Sequence, residues 1–254
     1  MVDVPPDTRP DLPDPDRPDQ SLLVPARRDD ALRVVVLAGG DRLPPALDSD
    51  IADAIDRAAF SVAADGGIRH AHRAGRDVDV LVGDLDSISS DDLARAEAGA
   101  IELLRHPVDK DATDLELALD LVLDRTAAQL RPVEVLVVGG HGGRTDHLLA
   151  NLLLLSAERY ARLRLSAWWG ADVVHVVRST AVLAGRIGST VSLSAMHGPA
   201  RGVTTVGLHF ALTDAELIPG STLGVSNRLS SSPAVVSVRE GVVVVLHGPP
   251  SEPS

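Results

Sequence analysis

The sequence predicts an α/β domain built on a mostly parallel sheet, followed by an all-β sandwich. Three observations carry this. Apolar runs of strand length alternate with helix-periodic stretches through about residue 165. Four of those strands run into polar turns bearing Gly and Asp or Arg. From about Val173 onward helical spacing vanishes, and short β-rich segments follow one another between Gly, Pro and Ser. The expected division is a Pro/Asp-rich disordered tail at 1–30, the α/β domain at 31–168, the β-sandwich at 169–248 and a C-terminal tail at 249–254.

Taken in order, Val34-Val35-Val36-Leu37-Ala38 is the first strand, leading into Gly39-Gly40-Asp41. Ile51, Ala54, Ile55 and Ala58 then recur at helical spacing. Ser61-Val62-Ala63-Ala64 is a second strand ending at Asp65-Gly66-Gly67, and a short helix closes at Gly75. Val80-Leu81-Val82 is the third, ending at Gly83-Asp84-Leu85-Asp86-Ser87. A helix over 93–98 stops at Gly99, before a short strand at 101–104. Thr113-Asp114-Leu115-Glu116 reads as a capping box with Leu115, Leu119 and Val122 as the stripe behind it. The strand over 133–138 ends in Gly139-Gly140-His141-Gly142-Gly143-Arg144, and a helix over 146–160 follows. The β-rich half comprises segments at 173–177, 189–195, 203–210, 234–238 and 242–246.

Composition narrows the function classes. Aromatic residues are only 2% of the chain and the net charge is −12, so neither a base-stacking platform nor a polyanion-binding stripe is present, and no nucleic-acid partner is expected. The absence of cysteine removes disulfides, thiolate metal sites and a Cys nucleophile together. No apolar run approaches the roughly 18–20 residues of a membrane span, and the acidic, Pro-rich start is unlike a signal peptide. A soluble, cytoplasmic protein with no membrane partner is the expectation. Lys110 is the single lysine in a chain that otherwise uses Arg.

In an open parallel sheet ligands bind beyond the carboxyl ends of the strands. Those ends deliver Asp41, Asp65, the Asp84/Asp86 pair and Arg144-Thr145-Asp146, joined by the acids of Asp109-Lys110-Asp111-Ala112-Thr113-Asp114. So many carboxylates in one crevice repel unless a cation sits among them. Oxygen-only donors point to Mg²⁺ rather than zinc, and Mg²⁺ so held usually serves substrate phosphates, which makes a nucleoside triphosphate the first expectation. Each piece has a plainer reading. An Asp pair on a tight turn is often just solvated, and Thr113 reads first as a helix cap. Gly139–Gly143 lacks the lysine of a P-loop and the third glycine of a dinucleotide fingerprint, though its N–H groups can still cradle phosphate. His147 and Asn151 share a helix face, where a structural histidine is equally reasonable.

Together these residues resemble the thiamine pyrophosphokinase family. The matching blocks are Ala64-Asp65-Gly66-Gly67, Val82-Gly83-Asp84-Leu85-Asp86-Ser87, Lys110-Asp111-Ala112-Thr113-Asp114 and Gly142-Gly143-Arg144-Thr145-Asp146-His147 with Asn151 beyond. In the β-rich half Thr205-Val206-Gly207-Leu208 and Ser226-Asn227 are similar to that family's second domain. The blocks stand in the family's order over about residues 33–246. One departure is Ile68-Arg69, where the family often has Ala-Asn.

The resemblance implies a homodimeric enzyme that transfers the pyrophosphoryl group of ATP to the hydroxyl of thiamine, giving thiamine diphosphate and AMP. It implies that Asp84, Asp86 and Asp111 hold Mg²⁺ with Asp114 close by. Lys110 and Arg144 would hold phosphate oxygens, with Ser87, Thr113, His147 and Asn151 on the nucleotide side. Asp65 and Asp146 would orient ligands or help take the hydroxyl proton, and Ser226 and Asn227 would contact thiamine across the dimer interface. Two alternatives stand beside this: the same chemistry on another hydroxymethyl acceptor of pterin type, and a non-catalytic nucleotide- or thiamine-binding protein of the same fold.

Overall fold

The computed structural model describes residues 30–250, so the tails expected at 1–30 and 249–254 fall almost wholly outside the described residues. The first half is an α/β layer structure. Strands β1 (Leu32–Leu37), β2 (Phe60–Ala64), β3 (Val80–Gly83), β4 (Glu102–Arg105), β5 (Val133–Val138) and β6 (Leu163–Trp169) lie in the order β4-β3-β2-β1-β5-β6, all parallel. Their near-continuous Val/Leu/Ala runs suit a sheet covered on both faces. Alternation sends Val34 and Val36 to one face and Val35 and Leu37 to the other. Helices α1 (Asp48–Asp56), α2 (Ile68–Arg73) and α3 (Ser90–Ala98) cover the second face, through Ile51, Ile68, Ala71 and Ala96. The helices α4 (Asp114–Arg125) and α5 (Thr145–Ser156) cover the first, through Leu115, Leu119, Val122 and Leu155.

From β1 the chain builds outward through β2 to β4, then returns to place β5 on the other side of β1. The carboxyl ends of β1 and β5 therefore frame a topological switch point, the place where such sheets open a crevice.

Beyond β6 the sheet turns antiparallel through β7 (Asp172–Val177), β13 (Glu240–Pro250) and β9 (Ser189–Val206). The later part of β9 pairs with β12 (Ala234–Ser237), which pairs with β8 (Thr180–Leu183). Short strands β10 (Ala215–Leu217) and β11 (Asn227–Arg228) also lie on β9. Leu193, Val203, Leu217, Val236, Val243 and Val245 form the core of this mostly β half. The architecture is thus an α/β half on a partly parallel sheet followed by a mostly β half. Among the described residues no helix is long and apolar enough to cross a membrane.

Three elements differ from the sequence reading. The segment expected at 189–195 and the first part of that expected at 203–210 are one strand, β9, which ends at Val206 and bends at His197, Gly198 and Gly202 (φ 57°, 145° and 67°) with a register shift against β13. Helix α5 stops at Ser156 rather than 160, because Ala157 is extended (ψ 146°) and a 3-10 turn takes over at Glu158–Tyr160. Helix α3 starts three residues early, because the Ser89 hydroxyl accepts the Asp92 N–H at 3.1 Å and caps it.

Candidate active site

The crevice beyond β2 and β3 gathers three carboxylates. Asp65, Asp84 and Asp114 each offer an oxygen, and these oxygens lie within 4.8 Å of one another. Asp65 opens the 3-10 turn Asp65–Gly67 that follows β2. A Cβ on Gly67 would stand 2.1 Å from the Leu37 carbonyl oxygen, so only glycine lets that turn lie on the end of β1. Gly83, the last residue of β3, has φ 146°, and a Cβ there would come within 3.0 Å of both Asp65 Cβ and Asp114 Oδ1. The next turn holds Leu85 at φ 66° with its side chain buried, which leaves Asp84 half-buried and Asp86 exposed. Asp114 is the first residue of α4, where the Thr113 hydroxyl accepts the Glu116 N–H at 3.2 Å.

Lys110 closes the cluster. Its Nζ donates to Asp84 Oδ2 at 2.8 Å and lies 3.1 Å from Asp114 Oδ1. The bond from Lys110 holds Asp84 below the usual carboxylate range. Burial pushes Asp114 up, against the pull of Lys110, and Asp65 and Asp84 push it further. Lys110 itself is raised: burial works against its charge, and the two carboxylates outweigh that. Asp65 Oδ1 is buried without a hydrogen-bond partner among the described residues. An unpartnered buried carboxylate oxygen beside two others is costly without a cation, and an all-oxygen set of this size fits a hard divalent ion.

The other expected residues divide. Asp86 and Asp111 are exposed on the flanking turns and do not belong to the three-oxygen group; the grouping is Asp65, Asp84 and Asp114 rather than Asp84, Asp86 and Asp111. The Asp86 N–H donates to Asp84 Oδ1 at 3.3 Å, and the Ser87 hydroxyl donates to Asp86 Oδ1 at 3.1 Å. Arg144 and Asp146 are both exposed and pair with each other, at 2.6 Å. That pairing holds the Asp146 carboxyl down to about 2, which makes it a weak proton acceptor. His147 is exposed. Asn151 is buried and donates to the Gly140 carbonyl at 2.8 Å, so it fixes the glycine turn after β5.

In the β-rich half Ser226 is exposed at φ 59°. Asn227 is buried, and its amide is spent on Phe210: Oδ1 accepts the Phe210 N–H at 3.0 Å and Nδ2 donates to the Phe210 carbonyl at 2.7 Å. Phe210, 61% exposed, is held in place by Asn227. Its signal was its rarity, as one of two phenylalanines in the chain.

Two family models match this chain. The thiamin pyrophosphokinase catalytic domain matches residues 51–166, and the thiamin pyrophosphokinase vitamin B1 binding domain matches residues 174–243. The thiamine pyrophosphokinase of Bacillus subtilis is 28% identical over 166 residues, covering 65% of this chain and 75% of that protein. Thiamine pyrophosphokinase 1 of Oryza sativa is 25% identical over 199 residues, covering 68% of this chain and 72% of its own. Among solved structures, the thiamin pyrophosphokinase of Geobacillus thermodenitrificans superposes with a TM-score of 0.68 at 26% identity, over 87% of this chain and 99% of that one. The Bacillus subtilis structure shares the fold with a TM-score of 0.73 at 24% identity, over 86% of this chain and 100% of that one.

Proposed function

The chain belongs to the thiamin pyrophosphokinase family, and from that premise we propose how its acidic crevice serves the reaction. The protein is an ATP-dependent transferase that moves the pyrophosphoryl group of ATP to the hydroxyl of thiamine. The observation that carries the site assignment is the convergence of Asp65, Asp84 and Asp114 within 4.8 Å, bridged by Lys110.

These three carboxylates would hold a divalent cation, and oxygen-only donors favour Mg²⁺. When bound, the ion supplies neutralisation of charge on the phosphoryl group being transferred. Asp86 and Asp111, exposed on the same turns, are further oxygen donors open to the nucleotide side. Thiamine's hydroxyl oxygen forms the new bond to the β-phosphorus as the bond from that phosphorus to the α–β bridging oxygen breaks, and AMP leaves with that oxygen. The hydroxyl proton passes to a carboxylate of the crevice. Asp146, which Arg144 holds down, is poorly suited to take it. Lys110 keeps Asp84 ionised and positioned throughout.

We place thiamine at the face around Ser226, where Phe210, Leu223 and Val225 are exposed. An exposed apolar group of this kind marks an interaction surface, and a homodimer that covers it would complete the acceptor pocket. The test is product identity. Incubation with ATP, Mg²⁺ and thiamine is expected to yield AMP in step with thiamine diphosphate, and activity is expected to vanish on chelation. Accumulation of ADP with thiamine monophosphate would overturn the reading, and sedimentation showing a fully active monomer would overturn the dimer.

A further inference from the structure

A polar cavity lies among α2, the start of α3 and the turn after β1. It measures about 280 Å³ and is lined by Arg42, Arg69, His70, His72, Arg73 and Asp92. Its charges are unevenly matched. Arg73 pairs with Asp48 at 2.7 Å and His72 pairs with Asp92 at 2.5 Å. Arg42 and Arg69 have no carboxylate partner among the described residues. Arg69 donates to the Gly40 carbonyl through Nη2, while its Nε is buried without a hydrogen-bond partner. His70, only 1% exposed, presents Nδ1 without a partner, and burial holds its pKa down to about 4, so it faces the cavity as a neutral ring.

The position of Arg69 connects this cavity to the chemistry. Its Nη1 lies 4.0 Å from where a Cβ on Gly66 would stand, and the Ser87 carbonyl oxygen is 3.4 Å from the same point. The guanidinium therefore reaches between the Gly40 carbonyl, after β1, and Gly66, which follows Asp65 and faces the turn after β3. The two cations that the sequence offers for phosphate are already engaged: Lys110 by Asp84 and Asp114, and Arg144 by Asp146. With a divalent ion and Lys110 balancing Asp65, Asp84 and Asp114, the triphosphate still brings several negative charges of its own past the exposed Asp86 and Asp111, and a free cation at the edge of the crevice offsets that repulsion. A planar guanidinium with an unused N–H matches phosphate oxygens better than an ammonium does.

We propose that Arg69 and Arg42 form an anion subsite that grips phosphate oxygens of the ATP triphosphate at the edge of the acidic crevice. This rests on the transferase reading for its ligand, and only phosphate chemistry is asked of the pocket. The same donors could serve inorganic pyrophosphate, so both ligands are titrated. Full-length protein and the variants R69Q, R69K and R42Q are compared by calorimetric titration with ATP in Mg²⁺ buffer, by titration with inorganic pyrophosphate, and by steady-state kinetics.

R69Q is expected to weaken ATP binding and raise the KM for ATP at least about tenfold, with the KM for thiamine within about twofold. R69K should recover part of the loss and R42Q should lose less than R69Q. Arg42 is exposed, so R42Q remains a test should R69Q fail to fold, which a thermal melt reports. Unchanged ATP affinity in the folded variants overturns the proposal, as does a loss confined to inorganic pyrophosphate. The binding titration does not depend on turnover. A wild type that binds ATP through Arg69 without making AMP would retire the transferase reading and leave the subsite standing.

Discussion

Lys110 Nζ lies 2.8 Å from Asp84 Oδ2 and 3.1 Å from Asp114 Oδ1, so the one lysine of the chain bridges two carboxylates from different strand–helix connections. This is a positioning contact between the β3 turn and the start of α4. It explains why a compact ammonium is kept there: the longer planar head of arginine cannot occupy a gap of that size between two acids without displacing one of them.

We therefore expect K110R to lower turnover at least about tenfold, roughly 1.4 kcal/mol, with thermal stability little changed because the charge is retained. Kinetics of K110R indistinguishable from wild type would show that charge alone suffices at this position.

Gly83 gives a sharper structural test. An alanine there would need φ near 146° and would push on Asp65 Cβ and Asp114 Oδ1, each 3.0 Å from the new methyl. The backbone strain alone costs about 1–3 kcal/mol. Relieving these contacts asks two of the three carboxylates to give by a few tenths of an ångström, which should lower activity measurably in a site that depends on their geometry. G83A that melts lower yet turns over normally would show that the trio is not the reacting centre.

The places where sequence and structure part company share a physical cause. Strand ends carrying Asp and Gly were legible, because the apolar runs and the turn residues are local. Which acids meet was not. Leu85 takes a left-handed conformation and buries its side chain, and this separates Asp84 from Asp86 although they sit two residues apart. Asp65 joins the cluster only because Gly67 and Gly83 let three connections close on one another. The roles of Asn151 and Asn227 were equally hidden, since their partners are backbone groups 11 and 17 residues away. The bend in β9 depends on pairing with both β13 and β12 across long sequence separations.

Asn227 and Ser226 should separate cleanly on mutation. Asn227 is 3% exposed, and its Oδ1 also accepts the Arg228 N–H at 2.9 Å, so N227A strands backbone groups of Phe210 and Arg228. A cost of about 1–3 kcal/mol is expected, lowering Tm by about 2–4 °C for each kcal/mol in a chain of this size. S226A removes an exposed hydroxyl and should leave Tm near wild type while raising the KM for thiamine. If S226A changes neither quantity, Ser226 does not touch the acceptor.

The last prediction concerns pH and two histidines at the junction of the two halves. His175 on β7 is 7% exposed and His247 on β13 is fully buried, with ring centroids 6.4 Å apart. Burial, followed by the neighbouring His247, lowers the His175 pKa to about 4. In the unfolded chain the same imidazole takes up a proton near its ordinary pKa of about 6.5. Between these values the unfolded state binds more protons than the folded one, so stability falls as pH falls. The contribution is complete above about pH 6.5 and declines toward pH 4, by about 3 kcal/mol at most. His70, also lowered to about 4, acts in the same direction. The urea midpoint of the wild type should therefore drop across this window. H175Q, which cannot titrate, should drop by less, and the difference between the two curves removes the shared contribution of the carboxylates and His70. Parallel curves for H175Q and wild type would show that His175 is protonated in the folded protein or that its burial carries no such penalty.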